Sequence, residues 1–256
     1  MRSALGLLAA LIALPLLAVS CADDERTTLT VFAAASLTDA FREIAQAFEA
    51  AHPNAEVRLS FGGSQRLRLQ IEQGAGADLF ASANRVQIER AEALGVLRPP
   101  AQRFAANALA LIVPARNPAG LSSLRDLATR NVRLVIAGEG VPAGDLTRAL
   151  LEARGLADDI LRRVVSEEES VRRVLTKVRL GEADAGFVYS TDALAGGEDV
   201  MSVPIDAGQL RNEYLLALTG DTEHPDLAAA FVEFVLAPEA QAILARLGFI
   251  PLAELQ

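Results

Sequence analysis

Cysteine and histidine are nearly missing from this chain of 256 residues: Cys21 is the only cysteine, and His52 and His224 are the only histidines. A lone cysteine excludes an intramolecular disulfide and leaves no thiolate cluster for a structural metal. Each histidine precedes a proline in a polar turn, so neither is placed as the base that Ser36 or Ser64 would need for nucleophilic catalysis. No GxSxG elbow, no HExxH and no GxGxxG after a strand occurs, and the glycine-rich turn from Gly138 to Gly144 lacks the Lys-Ser/Thr pair of a phosphate loop. Hydrolase, metalloprotease, zinc and nucleotide readings lose their support, and no enzyme is expected. Positive charge is short as well: 24 Lys and Arg stand against 33 Asp and Glu, a formal net charge of −9. That balance disfavours nucleic acid as a partner. An anion site here has to work through local donors in a neutral pocket, because the general field repels anions.

What the chain does have is apolar material. A 51% hydrophobic share fills real cores, and the length suits one large or two smaller domains. The first twenty residues stand apart: Arg2, an apolar run from Leu7 to Leu17, then Ala18, Val19 and Ser20 before Cys21. The run is short for a bilayer span and reads as an export signal ending at residue 20. Cys21 directly after it resembles the lipobox of bacterial lipoproteins, although Ala18 stands where that motif prefers Leu and Leu17 lies one step earlier. Lipidation of Cys21 is therefore expected, with ordinary cleavage nearby as the alternative, and residues 21–27 form a polar tether. The protein belongs in the periplasm or cell envelope.

The chain is organised around Thr28 to Phe48. Leu29 and Val31 mark a strand ending at Phe32, and Leu37, Ala40, Phe41, Ile44, Ala45 and Phe48 recur at helical spacing. Between them lie Ala33, Ala34, Ala35 and then Ser36 at the expected N-cap. A helix start leaves backbone N–H groups unpaired and carries partial positive charge, so this turn makes a small anion cradle. The unit recurs: a strand from Glu56 to Phe61, then Gly62, Gly63 and Ser64, then a helix from Gln65 to Gln73. Two such turns suggest one tetrahedral oxyanion held between them.

The alternation continues through a buried strand at Asp78 to Ala83 and a helix from Asn84 to Leu94 ended by Gly95. Pro99 and Pro100 read as a break, and Ala108 to Val113 as an apolar strand. A helix at Leu124 to Thr129 and a strand at Val132 to Ala137 precede a helix preset by Pro142, with apolar positions Leu146, Ala149, Leu150 and Ala153. Glu167, Glu168 and Glu169 are expected in the first turn of the helix carrying Val171, Val174, Leu175 and Val178, where they complement its dipole. Tyr189 closes a strand from Ala185, and such strand ends face the ligand crevice in open α/β sheets. A strand at Leu215 to Leu218 and two final helices complete the chain. The pattern is α/β, with two lobes joined by two strands crossing near Ala108 and Leu215.

VFAAASLTDAF from Val31, Ser64 ahead of QIEQGAGADLFASA, VPAG at Val141, SVRRVL at Ser170, FVYSTDA at Phe187 and LARLGFI near the end stand in one order over nearly the whole mature chain. In that combination the sequence resembles the periplasmic molybdate-binding proteins of bacterial ABC importers. The resemblance implies a type II periplasmic-binding-protein fold: two α/β domains, residues 28–106 with 217–256 and residues 107–216, joined by two crossover strands with the ligand in the cleft. It implies five ligand-binding positions for molybdate or tungstate: the hydroxyls of Ser36, Ser64 and Tyr189 and the backbone of Ala143 and Val171. They would reach the metal only through the oxyanion's oxygens. No cofactor is implied; the partners are the membrane permease and its ATPase subunit, and a monomer is expected. A run of serines is usual in the second loop, where this chain has Gly62, Gly63, Ser64 and Gln65, and the segment before VPAG looks short. The alternative is a binding protein for another oxyanion or a small organic acid, for which Arg66 entering the cleft would be the mark.

Overall fold

The computed structural model describes residues 26–208 and 210–255; the expected signal segment, the residues before Arg26 in the tether and Cys21 lie outside that range. In chain order the elements are β1 (Thr27–Ala34), α1 (Thr38–Ala51), β2 (Ala55–Gly62), α2 (Ser64–Glu72), β3 (Leu79–Ser82), α3 (Arg85–Ala93) and β4 (Leu97–Pro114). Then come α4 (Leu124–Thr129), β5 (Leu134–Ala137), α5 (Pro142–Ala153), α6 (Ala157–Leu161), β6 (Val164–Glu168), α7 (Val171–Arg179) and β7 (Ala185–Tyr189). The chain finishes with α8 (Ser190–Ala195), β8 (Val200–Val203), β9 (Arg211–Thr219), α9 (Pro225–Leu236), α10 (Pro238–Arg246) and β10 (Ile250–Pro251).

The strands line up in the order β2-β1-β3-β9-β4-β7-β5-β6, with β8 and β10 also on β4. At one end β1 runs parallel to both β2 and β3. At the other β5 runs parallel to both β6 and β7. Short connections through helices force that parallel arrangement. The two groups meet on β4, whose residues Leu97–Ala108 pair with β9 and whose residues Leu109–Pro114 serve β7 and β8. Strands β3, β5 and β7 are buried at every position, as strands covered on both faces must be. Against the first group, α1 and α9 seat Phe41, Phe48 and Phe231, all fully buried, with the Phe48 and Phe231 rings 5.1 Å apart and Phe41 5.7 Å from Phe104.

Five expectations change. Pro99 and Pro100 do not break the chain: β4 runs through them, and the pairing with β9 shifts register between Arg98 and Gln102 because proline has no N–H to offer a ladder. Glu167 and Glu168 end β6 instead of opening a helix, since Glu168 turns inward to Lys177 at 2.5 Å and Glu167 meets Arg148 at 2.6 Å. Thr27 is part of β1, paired with Ala55, so the tether stops one residue earlier. The strand expected at Leu215 to Leu218 spans Arg211–Thr219, its early part held by β4 despite a polar sequence. Ser36 is not an N-cap: Ala35–Leu37 forms a 3₁₀ turn, Leu37 takes the cap position of α1, and the Ser36 hydroxyl goes elsewhere.

Candidate functional site

Five strand ends converge on one cavity. After β1 comes the 3₁₀ turn with Ser36; after β2, Gly63 caps α2 and Ser64 is its first residue. After β5, Pro142 and Ala143 open α5; after β6, Ser170 takes the cap position and Val171 opens α7; β7 ends on Tyr189. Ser36, Ser64, Ala143, Val171 and Tyr189 all line this cavity, together with Ser170. First-turn N–H groups have no carbonyl partner within their own helix, so four helix or turn starts aim free donors at one point.

The lining is deeply buried. The five residues are each at most 4% exposed, and the cavity measures about 10 Å³, counted as room for the centre of a water-sized sphere. That is near the least that admits one water, and far from the roughly 300–1,000 Å³ of pockets that hold organic ligands. No charged side chain is among its lining residues. Arg66 points away and meets Glu169 at 3.3 Å with more than half its side chain in solvent. Arg172 borders a neighbouring cavity that shares Ser36 and is neutralised by Asp39 and Asp192, each 2.6 Å from it.

Behind the lining lies a layer of polar side chains. The Ser36 hydroxyl shares a 2.7 Å hydrogen bond with the Tyr214 hydroxyl, and the Asn107 amide donates to Thr191 and, at 3.5 Å, to Tyr214. The backbone N–H of Ala83 donates to the Ser64 hydroxyl at 3.1 Å. The Asn212 amide donates to the Tyr189 hydroxyl at 2.7 Å and to the Pro142 carbonyl at 2.9 Å. Burial pushes both phenols, Tyr189 and Tyr214, well above the ordinary tyrosine range, so both stay protonated. The site is thus neutral as well as closed.

Contacts between the two strand groups hold the cavity shut. Asp39 on α1 meets Arg172 on α7; Gln65 donates to the Glu169 carbonyl at 3.0 Å, and Gln87 on α3 donates to the Gly140 carbonyl at 3.0 Å. Gly63 lies so close to Glu169 that no side chain fits between them. Sequence reasoning had no access to Tyr214, Asn107, Asn212 or the Asp39–Arg172 pair, whose partners are tens to hundreds of residues apart; only Tyr214, an aromatic ahead of a strand, carried any signal. His52 and His224 line a separate groove of about 580 Å³ and take no part in this site.

Comparison with known proteins agrees with this architecture. The family model of bacterial extracellular solute-binding proteins matches residues 29–250. The chain is 39% identical to the molybdate-binding protein ModA of Mycobacterium tuberculosis over 223 residues, covering 87% of this chain and 84% of that protein. It is 33% identical to the molybdate-binding protein ModA of Escherichia coli over 231 residues, covering 86% and 88%. Among solved structures, the periplasmic molybdate-binding protein of Azotobacter vinelandii superposes with a TM-score of 0.75 at 24% identity, over 87% of this chain and 98% of that one. The sulfate-binding protein SubI of Mycobacterium tuberculosis superposes with a TM-score of 0.78 at 20% identity, over 89% and 88%. Both share the type of fold described above, a periplasmic binding protein.

Proposed function

Since the chain belongs to the family of bacterial extracellular solute-binding proteins, among relatives of the ModA molybdate-binding proteins, we propose that it captures molybdate or tungstate between two lobes and delivers it to an ABC importer. The family carries solutes and does not convert them; this is not an enzyme. One observation carries the choice of ligand class: the cavity at the strand ends is walled by hydroxyls and helix-start N–H groups with no charged side chain. Such a wall suits a fully ionised dianion, which needs donors only, and helix starts supply partial positive charge without a counter-ion. A small organic acid is disfavoured on two counts. Arg66, the group that would grip a carboxylate, faces solvent. The cavity is also far smaller than the roughly 300–1,000 Å³ of pockets that hold organic ligands.

In this reading the ligands are the hydroxyls of Ser36, Ser64 and Tyr189 and the backbone N–H groups of Ala143 and Val171. Residues 28–106 with 217–256 make one lobe and 107–216 the other. Each lobe brings part of the shell, so ligand binding and closure are one event, and the closed form is what a permease and its ATPase would recognise. Size separates molybdate and tungstate from sulfate, because donors fixed on two closed lobes cannot all reach a smaller ion. The protein works as an exported monomer, with Cys21 carrying the lipid that keeps it at the membrane. Isothermal titration of the mature protein tests the ligand: submicromolar binding of molybdate and tungstate, with sulfate and phosphate at least a hundredfold weaker, is expected. Equal affinity for sulfate and molybdate would refute the size argument, and no binding of any of the four would refute the oxyanion reading.

A further inference from the structure

Hydroxyl groups are ambiguous lining for an anion site, because each can donate or accept. A cavity lined by free hydroxyls adapts to a protonated oxyanion by turning a lone pair toward its O–H. Here the direction is constrained from behind. The Asn212 nitrogen lies 2.9 Å from the Pro142 carbonyl, an acceptor only, so that atom of the amide is the nitrogen and both its hydrogens are donated. Its second hydrogen goes to the Tyr189 oxygen at 2.7 Å. Tyr189, whose ring also packs on Tyr214, thereby accepts from the protein, and its own proton is free to turn into the cavity it lines. Ser64 accepts from the Ala83 N–H, which can only donate, so one of its two lone pairs is taken and its proton is free for the cavity. The Ser36 and Tyr214 hydroxyls share a 2.7 Å bond in which either can donate, so this pair is not oriented in the same way.

From this geometry we infer that Asn212 is a specificity-determining residue: it touches no ligand, but by donating to Tyr189 it commits that hydroxyl to donate, so that the cavity accepts fully deprotonated oxyanions and rejects protonated ones. The same amide holds Pro142, next to Ala143 at the start of α5, so one nitrogen sets two of the five proposed ligand groups. Burial keeps the Tyr189 phenol protonated across the physiological range, so its donor role does not lapse with pH. A protonated oxyanion would bring its O–H against the Tyr189 donor, and an unpaired buried O–H is what such a site discriminates against most strongly.

The inference rests on the oxyanion reading and is tested separately from it. Selenate and arsenate are near one another in size and, at pH 8, both are dianions, but arsenate keeps a proton and selenate does not. Competition of each against molybdate gives their affinities in wild type, in Asn212→Leu, which keeps the volume and removes both donors, and in Asn212→Asp, which puts an acceptor behind Tyr189. Wild type prefers selenate. The preference narrows by roughly tenfold in Asn212→Leu and by more in Asn212→Asp, the worth of about one hydrogen bond to a charged group. Tyr189→Phe, which leaves Asn212 in place, narrows it too and covers the case of an Asn212 variant that does not fold. Loss of selenate and arsenate in step, with the ratio unchanged, would make Asn212 a mere structural support and overturn the inference. Failure of wild type to bind molybdate in the same titration would instead overturn the oxyanion reading.

Discussion

Gly63 and the Glu169 carbonyl face each other across the cavity mouth with no room for a side chain: a methyl carbon on Gly63 would stand 2.3 Å from that oxygen. Gly63 has φ −61° and ψ 135°, a conformation open to any residue, so space and not backbone freedom demands glycine here.

Gly63→Ala should therefore leave the fold intact and oppose closure. The group it would strike is backbone, which cannot swing aside, so the two strand groups must part. Overpacking of this kind costs about 1–3 kcal/mol, which predicts an affinity loss of roughly five- to a hundredfold by titration with little change in Tm of the ligand-free protein. Unchanged affinity would mean that the closed form seen here is not the binding form.

Ser36→Ala removes a proposed ligand hydroxyl and leaves the buried Tyr214 phenol without its 2.7 Å partner. A hydrogen bond to an ion is worth about 1.5–3 kcal/mol, so molybdate binding should weaken roughly ten- to a hundredfold. Tyr214→Phe touches no ligand and should cost about 1 kcal/mol of stability and less than tenfold in affinity. If the Tyr214 change were the more damaging to binding, the ligand shell drawn here would be wrong.

These two residues also mark how far the sequence could be read. The strand-turn-helix units, the apolar faces of α1, α5 and α7 and the glycines that end helices are local features, and Gly95, Gly155, Gly181 and Gly248 do take positive φ. Ser36, Ser64 and the strand end at Tyr189 stood out from local pattern, Ala143 and Val171 only through the family resemblance, and all five line one cavity. Tyr214, Asn107 and Asn212 were not, because nothing local marks a side chain whose partner is supplied by another strand. The 3₁₀ turn at Ser36 escaped for a similar reason: a serine before a helix favours capping, and only the buried Tyr214 hydroxyl diverts it. Short elements such as α6, α8 and β8 carry too few residues for periodicity to register.

Asp192 is fully buried beside Arg172, and burial pushes its carboxyl up to about 6, against the pull of Arg172. A carboxyl raised above its unfolded value adds stability when protonated, and that contribution is lost as pH rises from about 4 through 6. In Asp192→Asn this dependence disappears. The difference in Tm between variant and wild type should therefore move in the variant's favour between pH 4.5 and pH 8, read by differential scanning calorimetry; a constant difference would show that Asp192 does not titrate in this window.

The opposite sign is expected at Asp184. Hydrogen bonds from the Arg133 guanidinium at 2.8 Å and from its backbone N–H at 2.8 Å hold the Asp184 carboxyl below the ordinary range. Its contribution is present above the unfolded value near 4 and lost as pH falls through the lowered one. Asp184→Asn should cost about 1–2 kcal/mol at pH 7 and markedly less at pH 3 in denaturant melts. An equal cost at both values would assign the effect to packing.

If a charge-free shell of donors on two strand groups encloses one oxyanion, anomalous diffraction at the molybdenum edge from crystals grown with molybdate will locate the ion. A single strong peak is expected between the Ser36, Ser64 and Tyr189 hydroxyls and the starts of α5 and α7, with no Lys or Arg side chain in contact with the ion. A peak elsewhere, or one gripped by Arg66 or Arg172, would contradict that arrangement.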